Sequence, residues 1–252
     1  MASSLMDNPV LMITEKTLAV PGGRILYDAS RLRKPDAQCF SRDYWASHGA
    51  VTEVAGGRGA VLFLQTDAGP WVLRHYRRGG LIARLSADAY WWLGEDRTRC
   101  FAEWRLLAQL RKKDLPVPAP VAARYVRDGM FYRADLITEQ LPTSQTLAAA
   151  LRAGALPQKQ WQTIGITIGR FHAHGVRHAD LNASNILLDT DGLVYLLDFD
   201  RGRIVARGSW EQAVLARLKR SLDKLKARHA EVAFGEREWS WLQAAVVAPL
   251  YV

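Results

Sequence analysis

The chain is poor in cysteine: Cys39 and Cys100 are its only two in 252 residues, and neither has a CxxC or CxxH neighbour. That excludes a disulfide scaffold, gives no zinc signature and points to a reducing compartment. No window holds the roughly 20 apolar residues a membrane-spanning helix needs. The opening "MASSLMDNPVLMITEKTLAV" has no basic stretch followed by a long apolar run, so no secretory signal is expected. The expectation is a soluble or peripheral protein working in the cytoplasm. Internal repeats and low-complexity tracts are also missing. Charged residues make up only 23% against 49% hydrophobic, a balance that argues against extensive disorder.

Acidic residues are outnumbered, 25 to 34, for a net charge of +9. The excess is concentrated. Residues 201–230 hold nine Lys/Arg and two Asp/Glu, and residues 71–113 hold ten and four. Such patches attract polyanions: nucleic acid, an anionic membrane surface or a phosphorylated substrate. Solvated helix faces would explain either patch alone as well.

Hydrophobic periodicity divides the chain near residue 140. In the first part, "GAVLFLQT" (59–66) and "PWVLRHY" (70–76) alternate around "DAG" and predict a β-hairpin. Residues 81–94, with Tyr90, Trp91 and Trp92, are read as a short helix with exposed aromatics. A stronger helix is predicted from Thr98 to Lys113, with Trp104, Leu107 and Leu110 at helical spacing and Glu103 on their side. "LPVPAP" (115–120) ends it. Two strands follow, at 121–127 and 131–139. In the second part, "TSQTLAAALRAG" and the Trp161/Ile164/Ile168/Phe171 stripe predict two helices. Residues 186–189 and 193–198 predict a β-pair, and Trp210 to His229 an amphipathic helix with Val214, Leu218, Leu222 and Leu225 on one face.

The chemistry-bearing stretch is "VRHADLNASNILLDTDGLVYLLDFDRGR" (176–203), five carboxylates beside two apolar runs. Charges beside a core need compensation, which a metal–phosphate complex would supply. Phosphoryl transfer needs a carboxylate to orient or accept the proton of the attacking hydroxyl, a role that fits Asp180. It also needs oxygen ligands for Mg²⁺, which fits Asn185 and Asp198, brought together across one short hairpin.

At these residues the chain resembles the protein-kinase-like superfamily. "HADLNASN" (178–185) matches the catalytic-loop pattern H-R-D-L-x-x-x-N except that Ala179 replaces Arg, and "DFD" (198–200) stands for D-F-G. The resemblance implies an α+β, bilobal fold: an antiparallel-sheet lobe with one long helix (1–140), then a reduced helical lobe (141–252). It implies ATP and Mg²⁺, with a cleft where they compensate the carboxylates. It further implies a phosphate loop at Gly57 and Gly59, a phosphate-contacting cation at Arg74 in "VLR" and its ion-pair partner at Glu103. Glu139 falls in the hinge, where backbone groups would meet adenine. Arg74 stands where lysine is usual; it stays charged and pairs bidentately but is bulkier.

Only 54 residues follow Asp198 and no A-P-E sequence is among them, which predicts a non-protein acceptor. "LRHYRRGGL" (73–81) and the 178–203 stretch together resemble the bacterial lipopolysaccharide-core sugar kinases, within them the 3-deoxy-D-manno-octulosonic acid (Kdo) kinases. That implies phosphorylation of the 4-hydroxyl of Kdo on the glycolipid Kdo–lipid IVA, at the cytoplasmic face of the inner membrane. The basic patches, with Tyr90, Trp91 and Trp92 near Arg84 and Arg97, would then meet lipid, or the aromatics would simply pack; Arg77 and Arg78 would bind substrate phosphate or shape a turn. Other readings stay open: a heptose or aminoglycoside-type phosphotransferase, or a pseudokinase marked by Arg74 and "DFD". A nucleic-acid module has no motif behind it. His172, His174 and His178 are close enough to suggest zinc, but His178 is better read as packing and bonding backbone to fix the Asp180 loop.

Overall fold

The computed structural model describes residues 12–55, 61–77, 88–142 and 144–247. Gly57 and Gly59 lie outside the described residues, as do Arg78 and Arg84. The chain divides into two compact units, Met1–Lys112 with Ala119–Gln140, and Lys113–Pro118 with Leu141–Val252.

The first unit is built on an antiparallel sheet. Its elements are β1 (Glu15–Val20), β2 (Gly23–Asp28), α1 (Arg42–Ser47), β3 (Val51–Ala55), β4 (Val61–Thr66), β5 (Gly69–His75), β6 (Tyr90–Trp91), α2 (Arg99–Lys112), β7 (Pro120–Asp128) and β8 (Phe131–Glu139). The strand order is β1-β2-β7-β8-β5-β4-β3, with β6 also pairing β8. The predicted hairpin is β4–β5, with Leu62 opposite Leu73 and Leu64 opposite Trp71. These four side chains share a buried cluster with Ile25, Cys39, Phe40 and Ile137. A strand alternates faces at each residue, so Arg74, next to Leu73, is turned away from that cluster.

The long helix α2 packs on β7 and β8. Phe101 and Trp104 are completely buried, roughly 1.5–3 kcal/mol for burying a side chain of the Phe class. Its first N–H donates to the Tyr132 hydroxyl (3.0 Å), and Arg111 and Lys112 in its last turn complement the helix dipole.

The helix expected over 81–94 is not formed in its described part. Tyr90 and Trp91 instead pair with Tyr132 and Phe131 as strand β6. The aromatics favour this: Trp91 lies 4.6 Å from Phe131 and Tyr90 lies 5.6 Å from Tyr132, centroid to centroid, the cross-strand contact a pleated surface provides.

The second unit contains β9 (Ser144–Thr146), α3 (Leu147–Ala153), α4 (Gln158–Ala173), β10 (Val176–Arg177), β11 (Ile186–Asp189), β12 (Val194–Leu196), β13 (Arg203–Ile204), α5 (Trp210–Arg228) and α6 (Glu236–Val247). The expected β-pair is β11–β12, but it gains a third strand. Ser144–Thr146, expected at the start of a helix, pair with β11 instead. The reason is local: Thr146 is the N-cap, its hydroxyl accepting from the Ala149 N–H at 3.0 Å, so the helix cannot begin before it.

The Trp161/Ile164/Ile168/Phe171 stripe is the buried face of α4. A second face, marked by Gly165 and Gly169, receives α6, an element the sequence reading did not anticipate. A Cβ at Gly165 would stand 2.3 Å from the Leu242 carbonyl oxygen, and one at Gly169 2.6 Å from that of Val246. In an open helix Gly→Ala stabilises by about 1 kcal/mol. Here the collision reverses the sign, so Gly165→Ala is expected to destabilise by about 1–3 kcal/mol. Thermal unfolding checks it, and a Tm at or above the parent's would contradict the close helix contact.

Candidate active site

The second unit assembles its acidic residues around one peptide group. His178, completely enclosed apart from 3% of its surface, lies at the start of the loop between β10 and β11. Its Nδ1 accepts the Asp180 N–H (3.1 Å), which requires the proton on Nε2, and Nε2 donates to the Leu197 carbonyl (2.8 Å). From the other side, the Leu197 N–H donates to the Asn185 carbonyl (2.9 Å). Both backbone groups of Leu197 are therefore held by the loop, and the next residue is Asp198. Residues 187–196 are spanned by β11, its turn and β12, so Asn185 and Asp198 become neighbours across a short hairpin.

Within the loop, the Asp180 carbonyl accepts from the side-chain amides of Asn182 (3.0 Å) and Asn185 (2.9 Å). The Asn185 bond uses Nδ2 and so presents Oδ1 as an acceptor. Asp198 has a left-handed backbone, φ +60°, an uncommon conformation for which Asp is among the more tolerant side chains. Phe199 is fully buried, its ring 5.7 Å from Phe171 and 4.8 Å from His178. An Asn oxygen and a carboxylate are hard donors that suit Mg²⁺, which takes few protein ligands and keeps waters and phosphate oxygens for the rest. No zinc-type cluster of His, Cys, Asp and Glu occurs among the described residues. His178 has both nitrogens engaged, and His172 is buried with its ring edge-on to Trp210 at 5.2 Å.

Asp180 has a neighbour the sequence reading missed. Arg217, on α5, donates from Nε to Asp180 Oδ1 at 2.7 Å. The two are 37 residues apart in sequence, and no local spacing signals the pair.

The first unit builds a second cluster. Glu103 on α2 is buried, and Arg74 on β5 reaches it at 2.5 Å. Tyr76 completes the group: its hydroxyl bonds the same Glu103 oxygen and accepts from Arg74 at 3.2 Å, and the Arg74 guanidinium lies 4.7 Å from its ring centroid. Burial, then the Glu103 charge, push the Tyr76 hydroxyl pKa well above its usual value, so it stays a donor. Tyr76 was also missed, although its position two residues after Arg74 would put it on the same strand face. Glu139 ends β8; its carboxylate pairs with Arg31 and its N–H donates to the Ala119 carbonyl at 2.9 Å.

Burial lowers the pKa of both His172 and His178 below the ordinary 6.5. The unfolded chain therefore binds more protons than the folded one as pH falls below about 6.5, and stability drops with it. Tm is expected to decline from pH 7.5 to 5.5. His172→Phe, which removes one of the two buried rings that titrate, should flatten that decline; an unchanged slope would mean that His172 does not contribute to it.

Similarity to known proteins agrees with this chemistry. A 3-deoxy-D-manno-octulosonic acid kinase of Stenotrophomonas maltophilia (strain R551-3) is 48% identical over 210 residues, 82% of this chain and 83% of the relative. The proteins of the same name from Xanthomonas campestris pv. campestris (strain B100) and Xylella fastidiosa (strain 9a5c) are 47% and 45% identical, over 81% and 82% of this chain and 82% and 83% of their own lengths. The family model described as "Lipopolysaccharide kinase (Kdo/WaaP) family" matches residues 42–245, a span that takes in Arg74, Glu103, the 178–185 loop and Asp198. The α+β architecture is the protein-kinase-like one, and the chain belongs to the lipopolysaccharide kinase (Kdo/WaaP) family of phosphotransferases.

Proposed function

We propose that the protein transfers the γ-phosphoryl group of ATP to the 4-hydroxyl of a Kdo sugar on Kdo–lipid IVA. The observation that carries this is the Leu197 clamp, which sets Asp180, Asn185 and Asp198 at fixed mutual positions in a family of sugar kinases. Asp180 is the residue that receives the hydroxyl proton. Arg217 occupies its Oδ1, so Oδ2 is the oxygen assigned to the acceptor. Asn185 through Oδ1 and Asp198 through its carboxylate would hold Mg²⁺, which when bound bridges and neutralises the nucleotide phosphates.

In the first unit, Arg74 is the cation assigned to those phosphates, with Glu103 and Tyr76 fixing its direction. Its contact with the Tyr76 ring and its bond to Glu103 hold Arg74 in place, which supports the active reading over the pseudokinase one. Gly57 and Gly59 remain the proposed phosphate loop. Glu139 would act through its place at the end of β8, since its carboxylate is held by Arg31.

A glycolipid acceptor requires access to a membrane surface, although no helix among the described residues is long and apolar enough to cross one. Trp91 (53% exposed), Leu93 (66%) and Met130 (64%) stand out on and just after β6 and at the β7–β8 turn, with Arg127 and the Asp88-paired Arg133 close to Met130 in sequence. This is the surface we assign to an anionic inner-membrane face, peripherally bound. Tyr90 and Trp92 take no part in it, being packed against Tyr132 and Tyr125.

Asp180→Ala should lower kcat by about 10²–10⁴-fold while leaving the KM for ATP nearly unchanged, and Asp198→Ala should abolish Mg²⁺-dependent ATP binding. The assay is phosphate transfer from ATP to purified Kdo–lipid IVA, with the site read by mass and fragmentation. Full activity of Asp180→Ala would refute the assignment, and phosphate at a different hydroxyl would refute the regiochemistry. Separately, Trp91→Ser with Met130→Ser should weaken flotation with phosphatidylglycerol-containing vesicles; unchanged flotation would remove this patch from the membrane contact.

A further inference from the structure

Beside Asp180 the second unit has a pocket of about 500 Å³ whose walls carry five arginines: Arg177, Arg201, Arg203, Arg217 and Arg220. Their grouping is costly. Arg177 on β10 and Arg203 on β13 are direct partners in an antiparallel pair, where like charges repel. Arg217 and Arg220 are three apart on one face of α5, again like charges within reach. Arg201 has a left-handed backbone, φ +61°, a conformation that costs a non-glycine residue about 1–3 kcal/mol.

The chain also goes out of its way to bring these residues together. The Val205 N–H donates to the Gly175 carbonyl (2.8 Å), and a Cβ at Gly175 would stand 2.2 Å from the Val205 carbonyl oxygen. With φ at +69°, only glycine fits there, and its absence of a side chain lets the segment after "DFD" lie back against the start of the catalytic loop. Among the described residues the one carboxylate bonded to any of the five is Asp180, through Arg217. Four guanidinium groups thus face a pocket of sugar size without an acidic partner, next to the residue assigned to the reacting hydroxyl.

We propose that this pocket is the acceptor's anion subsite, taking the carboxylate of the sugar acid that is phosphorylated. The inference rests on the function proposed above and deepens it. Arg217 touches Asp180, so an anion that Arg217 also touches lies close to the hydroxyl that Asp180 serves. A sugar acid has its carboxylate and its ring hydroxyls at that separation. Paired guanidinium donors suit a planar carboxylate, and Arg217 bridges substrate and Asp180. Arg217 is then a positioning residue as well as a binding one, and Ala179 beside it leaves room where the related motif carries its own arginine.

The test compares Kdo–lipid IVA with the same acceptor whose Kdo carboxyl has been reduced to an alcohol, using the parent protein, Arg177→Gln and Arg203→Gln. Each variant relieves a like-charge pair, so each should melt no lower than the parent, which establishes that it is folded. The expected result is a rise of about tenfold or more in KM for the acid acceptor, as loss of a charge-assisted bond implies. The KM for ATP should hold. The reduced acceptor should be poor for the parent and respond less than about twofold to either substitution. Equal losses on both acceptors, no loss on either, or a rise in the KM for ATP instead would overturn the subsite; the last would reassign the pocket to nucleotide phosphates. Calorimetric titration of free Kdo and its carboxyl-reduced form, without ATP, separates the two readings. If no phosphate is transferred but Kdo binding is selective and lost in Arg203→Gln, the subsite stands and the reaction falls. If neither form binds and none is phosphorylated, both fall.

Discussion

The peptide group of Leu197 is the constraint on which the catalytic half depends. Its carbonyl is held by a buried, neutral histidine and its N–H by the backbone of Asn185, so a residue with no chemistry of its own sets where Asp198 leaves the sheet. His178 serves both ends of the arrangement, since its other nitrogen receives the Asp180 N–H. A ring with one donor and one acceptor is required: a protonated imidazole would lose the acceptor, and burial opposes protonation. The buried Phe199 ring packs on both Phe171 and His178 and covers the apolar side of the imidazole.

In the first unit a comparable role falls to Glu103. A carboxylate buried in a helix face is expensive unless its partners are well placed, and removing one would leave an uncompensated charge. Arg74 and Tyr76 together satisfy it. The departure from lysine is therefore accompanied by an aromatic residue whose ring and hydroxyl both address the guanidinium.

Positive charge is treated differently in the two units. In the first unit several arginines are matched by carboxylates, as in Arg24 with Glu95, Arg105 with Glu15 and Asp96, and Arg124 with Asp135. In the arginine pocket of the second unit the cations oppose one another, and the left-handed backbones of Asp198 and Arg201 lie at the same short segment. Repulsion gathered in one place is what a bound anion would relieve, because it would supply the missing charge.

Much of this was legible in the sequence because its causes are local. Alternation in "VLFLQT", the prolines after α2, the HxDxxxxN spacing and the "DFD" that follows each depend on a few adjacent residues, and they were enough to identify the kinase-like fold and to pick out Asp180, Asn185, Asp198, Arg74 and Glu103 as candidates. The reading failed where a partner distant in sequence decided the outcome. Tyr90 and Trp91 became a strand because Tyr132 and Phe131 offered an aromatic edge, and α6 found its place because two glycines on α4 left room for its backbone. The basic run after residue 200 was visible as composition, but composition cannot say which arginines converge. Only the folded chain, by turning Gly175 against Val205 and laying α5 beside the catalytic loop, placed Arg217 on Asp180 and gathered four more around it. Local spacing identified the family's motif residues, whereas long-range packing decided which charges surround Asp180, because electrostatic neighbours are set by distance in space and not by distance along the chain.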